Sequence, residues 1–176
     1  MSRSDVKDTT KVEVLEAVVD KLRADIAYFN ESTCFLSVHP EPPKNAQHNI
    51  YATVAPVSGR YVGPALDGGG AATVMYEGAC VVTLYSHMKL DRVSHGVSML
   101  TDADRGLLVL QQAVLASLAA SQLYDNSGQP LLTQELYPIN DSDPRYESVT
   151  SKGDVQVMFG IDFNWNVSLE PVVDPF

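Results

Sequence analysis

Between residues 155 and 169 the chain alternates without a break. Val155, Val157, Phe159, Ile161, Phe163, Trp165, Val167 and Leu169 are interleaved with Gln156, Met158, Gly160, Asp162, Asn164, Asn166 and Ser168. A period of two predicts a strand with one face turned to a core. At ~3.4 Å per residue such a strand reaches ~50 Å, whereas a compact fold of this length is roughly 40 Å across. Either it bends near Gly160, or part of it pairs beyond the domain body. Residues 131–139 are its expected hairpin partner, across a polar turn holding 140–144 and 151–154.

The period changes at the other end of the chain. From Thr10, whose spacing to Glu13 suits a capping box, Val12, Leu15, Val19, Leu22, Ile26 and Phe29 recur at steps of three and four. Glu13, Glu16, Asp20, Lys21 and Arg23 fill the opposite face, so the segment predicts an amphipathic helix ending at residues 30–33. A short β-prone run, 34–38, is stopped by Pro40, Pro42 and Pro43. Residues 50–62 predict a strand with a bulge or an edge position near Pro56. A second extended run covers 76–87, with 79–85 as its apolar heart. The glycine-rich stretch 63–75 between them reads as a flexible connector, which makes the pair a long hairpin.

Residues 87–100 read as irregular. Thr101, with Asp102 and Asp104 behind it, predicts a capped helix start. That helix is expected to run to residue 123, and 107–123 carries no charge at all. Leu107, Leu110, Val114 and Leu118 form one stripe, while Val109, Ala113, Ala116 and Ala120 leave the rest of the cylinder smooth. Such a helix is either buried on more than one side or lies against a neighbouring subunit. Residues 125–128 are its expected terminator. The predicted class is α+β: a mostly antiparallel sheet, two main helices packed on it, and a long β-hairpin. Residues 1–176 form a single domain, with 63–75 the connector and 170–176 an extended tail.

Composition narrows the function. Hydrophobic residues make up 45% of the 176 and charged residues 19%, which excludes a disordered chain or a coiled coil. Asp and Glu number 22 against 12 Lys and Arg, a net charge of −10. The average face therefore repels nucleic acid and anionic membrane. No run approaches the ~18 apolar residues of a membrane span, and residues 1–8 lack the apolar stretch of a secretory signal. Cys34 and Cys80, far apart and among apolar neighbours, read as small buried hydrophobes. The Asn-x-Ser triplets at Asn30, Asn140 and Asn166 then read as chance matches.

The search for reactive groups returns little. None of His39, His48, His87 and His95 has a partner at zinc-ligand spacing. His39-Pro-Glu41 has the spacing of a deaminase His-x-Glu, but no Pro-Cys-x-x-Cys follows it. Ser94 and His95 are adjacent, without a nucleophile elbow. The Asp67–Gly70 stretch lacks the lysine and helix start of a phosphate loop, and 125–129 lacks the oxygen pattern of a calcium loop. Asp141, Asp143 and Glu147 read as a solvated acidic turn. No catalytic, cofactor-binding or metal residue is expected, and the chain does not read as an enzyme.

The order of elements carries more. An amphipathic helix, a proline-stopped short strand and a long hairpin ending in 79–85 are followed by the Ala/Leu helix of 104–123. A strand with Gln134-Glu135, an Asp/Pro turn and the alternating 155–165 strand close the chain. This order resembles the tail terminator (tail completion) proteins of long-tailed bacteriophages. The resemblance implies a structural virion protein made in the host cytoplasm. It also implies a ring, usually a homo-hexamer, capping the tail tube. One face would meet the tail tube protein and the other the neck's stopper or connector. Duplex DNA would pass through the lumen without specific binding, an acidic lumen being suited to sliding. The surfaces expected to close the ring are the hairpin tip (Leu66, Asp67, Gly68, Gly69), the smooth helix face (Val109, Ala113, Ala116) and the end of the long strand (Trp165, Val167). Two other readings stay open. One is another neck component, a stopper or head-completion protein. The other is a small cytosolic α+β ligand-binding domain or enzyme that uses the 40–48 and 87–95 loops as a pocket.

Overall fold

Strand pairing organises the molecule around its two longest hairpins. The computed structural model describes residues 11–38, 50–66, 72–89, 101–102, 106–132, 134–141, 145–151 and 154–169. In chain order these form α1 (Lys11–Asp25), β1 (Cys34–Leu36), β2 (Ile50–Leu66), β3 (Ala72–Lys89), α2 (Leu107–Leu118), β4 (Tyr137–Asp141), β5 (Arg145–Ser151) and β6 (Asp154–Leu169). The sheet runs β1-β2-β3-β6-β4, with β5 also on β6. β1 lies parallel to β2, and every other pair is antiparallel. The α+β class read from the sequence is the observed one.

The β2–β3 hairpin is longer than its apolar heart. Pairing runs from Ile50–Ser86 to Leu66–Ala72, with irregularities between Val57 and Arg60 and between Val62 and Ala65. The first follows Pro56, as expected. β1 gives out opposite Val54, so among the described residues Pro56 lies where β2 keeps a neighbour on one side only, and the missing N–H costs no ladder bond there. The second takes up Gly63 and Pro64, and the ladder resumes beyond them. Strand pairing thus reaches into 63–75 from both ends, while 67–71 lie outside the described residues, as does the 170–176 tail.

β6 is the axis of the other hairpin. It pairs β3 from Gln156 to Leu169. Its second side is shared by β5, over Asp154–Gly160, and β4, over 163–166. The handover falls just after Gly160. Val167 to Leu169 have no strand on that second side among the described residues. The partner expected at 131–139 is displaced: β4 begins at Tyr137, and β5 occupies a stretch read as polar turn. Ladder hydrogen bonds are indifferent to side-chain polarity, so Arg145, Glu147 and Ser148 pair as readily as apolar residues would. The β5–β6 ladder ends where Ser151 pairs with Asp154.

α1 buries Val14, Leu15, Val18, Val19 and Leu22. Val12, placed on the stripe by its spacing, is instead 55% exposed, and Val14 and Val18 take the inner positions. Beyond the helix Ile26 and Phe29 stay buried, and an Asn30 turn ends the segment. There Ser32 N–H donates to Asn30 Oδ1 (2.9 Å) and Asn30 N–H to Thr33 Oγ1 (2.9 Å).

α2 is shorter than its uncharged stretch. Gly106 caps its start without a side-chain bond, and Ala119 caps its end. Thr101 and Asp102 lie a turn upstream, with Gly106 N–H donating to Asp102 O at 2.8 Å. The expected run to residue 123 stops at Leu118. Ala120 takes a left-handed φ of 52°, which costs about 1 kcal/mol for a residue with a Cβ. Its N–H donates to Leu136 O (2.9 Å), so pairing with a distant segment overrides helix propensity. The expected terminator at 125–128 is a separate turn: Asp125 Oδ1 accepts from Ser127 and Gln129 N–H, both 2.8 Å, and Gly128 supplies φ +76°.

Both helices pack on one face of the sheet. Ile50, Ala52, Val54, Cys80, Val82 and Leu84 from β2 and β3 join the buried residues of α1 and α2, with Leu123, Leu131, Leu132 and Leu136, in a single core. Cys34 and Cys80 are free thiols inside it. Desolvation pushes both up to about 12, which makes them inert packing groups. The alternate residues Tyr51, Thr53, Ala55, Thr83 and Tyr85, on the other face, are buried as well.

Candidate assembly surface

α2 has one buried stripe and one bare one. Leu107, Leu110, Val114, Ser117 and Leu118 face the core. Leu108 (40%), Val109 (36%) and Leu115 (40%) are exposed, as are Gln112, Ala116 and Ala119. The described residues therefore cover the helix on one side. Isolated exposed leucines need no explanation, but a contiguous uncharged face does.

β4 extends this face. All five of its residues are exposed, including Tyr137 at 46% and Ile139 at 56%. Between α2 and β4 lies a groove of about 380 Å³, walled by Leu115, Pro138 and Ile139 and closed at its polar end by Gln111, Gln112, Asn140 and Asp141. Gln111 Nε2 donates to Asp141 Oδ2 at 3.2 Å, tying helix to strand. Pro138 sits in the edge strand, where a missing donor is tolerated and discourages open-ended strand addition.

The surface residues named from the sequence are distributed as follows. Val109 and Ala116 lie on the exposed side of α2, and Ala113 packs partly buried against the core. Leu66 pairs with Ala72 in the last rung of the β2–β3 hairpin, while Asp67, Gly68 and Gly69 lie outside the described residues. Trp165 holds the register between Cys80 and Pro138, and Val167 stands opposite Gly78. The helix face and the long strand are thus bridged by β4, whose Tyr137 and Ile139 the sequence reading passed over. An apolar pair around a proline in a short segment was the available signal. Among the described residues, deleting 65–72 removes only the rungs Ala65–Thr73 and Leu66–Ala72. It is expected to leave the circular dichroism spectrum unchanged and to impair assembly. Loss of folding would make the tip structural.

A second, acidic groove of about 530 Å³ separates α1 from residues 122–126, with Glu13, Glu16, Asp20, Asp25 and Asp125 on its walls. Its charge is partly compensated: Lys21 Nζ meets Asp25 Oδ2 at 3.0 Å, and Ser117 Oγ donates to the same oxygen at 2.7 Å. These bonds pin the end of α1 to α2. The Ser117 hydroxyl first, and Lys21 after it, hold the Asp25 carboxyl below its ordinary 3.8. A depressed carboxylate contributes stability above its ordinary pKa, and loses it as pH falls through the folded value. The Asp25→Asn variant is accordingly expected to lose less stability than the parent between pH 5 and pH 2, in urea titrations at each pH. The difference is small, because the pair is solvent-screened.

Among the described residues, the other groups singled out for chemistry do not converge. Asp141 lies in β4 and Glu147 in β5, Asp143 lies outside the described residues, and His87 pairs with Met158 in the β3–β6 ladder. His39, His48 and His95 lie outside the described residues. Among the described residues no three of His, Cys, Asp and Glu gather as a metal site, and no helix is long and apolar enough to cross a membrane.

No family model matches the chain, and no curated protein matches it. Among solved structures, a chain from the virion of a native gene transfer agent particle is similar over 90% of this chain and 96% of that one, at 18% identity and a TM-score of 0.48.

Proposed function

We propose that the chain is a structural virion protein, the subunit of a ring that ends growth of a phage tail tube and joins tail to neck. The observation that carries this reading is the bare α2–β4 face. In a chain of net charge −10, a broad and partly apolar surface whose carboxylate, Asp141, sits at one end and accepts from Gln111 is the place where copies can meet with little desolvation of charge. The element order, which resembles that of tail terminators, supplies the position in the particle.

In this reading the protein works by occupancy. A closed ring of six seated on the last tube ring presents a different face outward, so no further tube protein adds, and the neck's stopper or connector docks on that face instead. Each copy brings ten net negative charges to the assembly. A lumen of that sign lets the duplex pass without holding it. No cofactor or metal enters.

The test is tail-tube polymerisation with and without the purified chain. Tubes of bounded length, carrying gold-labelled antibody to this chain at one end only, are the expected result. Label along the whole tube, or tubes whose length ignores the protein, would overturn the proposal.

A further inference from the structure

We infer that copies of this chain join head to tail, the end of β1 of one copy seating in the α2–β4 groove of the next. The inference rests on the reading above that copies associate, and adds which two surfaces meet. The sheet order places β1 and β4 at opposite edges, and each edge carries exposed apolar side chains. At the β1 edge Leu36 is 38% exposed and Val38 84%, the most exposed large apolar residue among those described. At the other edge is the groove walled by Leu115, Pro138 and Ile139.

Shape and charge select this pairing. A groove laid on another groove leaves both empty, whereas Val38, 84% exposed, offers an apolar side chain to fill one. Residues 34–38 and 107–118 contain no charged side chain, and the groove's Asp141 already accepts from Gln111. Those two segments therefore bring no carboxylate of their own to the contact; Glu16, Asp20 and Arg23 border Leu36 on one side, with Asp20 paired to Arg23 at 3.7 Å, while the chains as wholes repel. β1 is only three residues long and is anchored from behind by Arg23, whose Nε donates to Cys34 O at 2.9 Å. It thus presents Val38 from a fixed base. Two different faces at opposite ends repeat from copy to copy and close into a ring where the rotation allows, while one face meeting itself stops at a pair.

The test uses Val38→Asp and Leu115→Asp, each at an exposed position where a charge leaves folding intact, as unchanged thermal melting will show. The mass of the assemblies is read by light scattering on the free chain and after incubation with tail tubes. Each variant alone is expected to need roughly 30-fold more protein to assemble than the parent, a loss of hot-spot size. An equimolar mixture has one intact contact and is expected to stop at a heterodimer. Val38→Cys mixed with Ile139→Cys is expected to give an oxidised cross-link that neither variant gives alone; the buried native thiols stay out of this reaction. If Val38→Asp assembles like the parent while Leu115→Asp does not, the groove meets itself and the head-to-tail contact is wrong. Assembly of both variants like the parent also overturns it, while leaving ring formation standing. A parent chain that associates neither free nor on tubes removes the ring reading and this contact together.

Discussion

Replacing Leu22 by Ala is expected to lower the unfolding free energy by about 3 kcal/mol, within the ~2–5 found for buried Leu→Ala changes, and the melting temperature by about 6–12 °C. Leu22 is fully buried in the layer where α1, α2 and the inner residues of β2 and β3 form one core. Truncation there removes apolar contacts and leaves a cavity between elements that cannot close around it, because each is fixed elsewhere. α1 is held to α2 through Asp25 and Ser117 and to the base of β1 through Arg23. Leu115→Ala is the matched control. With the same chemistry on the exposed side of α2, it is expected to cost less than about 1 kcal/mol. Urea unfolding of both variants checks the pair. Equal costs would mean that α2 buries its outer face in solution, and so that the free protein already associates.

How much of this was legible in the sequence depended on whether a signal was local. The β2–β3 hairpin was, because glycines interrupt two β-prone runs, and so was β6, whose alternation is unbroken. Helix α1 was legible in existence but not in rotation: Val12 and Val14 are chemically identical, and only packing against the sheet decides which one turns inward. The end of α2 was not legible, because Ala119 and Ala120 favour a helix and are stopped by the distant Leu136 carbonyl. Nor was β5, whose polar residues are strand by virtue of the ladder that β6 offers. The absence of charge along α2 was visible, but it left two alternatives open, burial on several sides or a neighbouring subunit. Exposure of Leu108, Val109 and Leu115 shows that the described residues cover one side alone. The groove could not be read at all, since Leu115 and Ile139 are brought together only by β4 pairing on β6.

Replacing Thr53 by Val is expected to stabilise the protein, by about 1 kcal/mol and at most ~3. Thr53 lies in the middle of β2, between Phe35 and Thr83 in register, with no exposed surface. Its Oγ1 has no hydrogen-bond partner among the described residues. Ala52 and Val54 belong to the core on the helix side, so the Thr53 side chain points to the opposite face, beside Tyr51, Ala55 and Tyr85, which are buried too. A hydroxyl removed from water without a partner is a net cost, and a valine of the same shape fills the same space without it. The melting temperature should rise by about 2–4 °C per kcal/mol, while Thr53→Ala, which opens a void, should lower it. A destabilising Thr53→Val would mean that the hydroxyl is bonded in solution. The second face of the sheet would then have to admit water or a polar group from another molecule at its centre, and it would cease to be a dry layer.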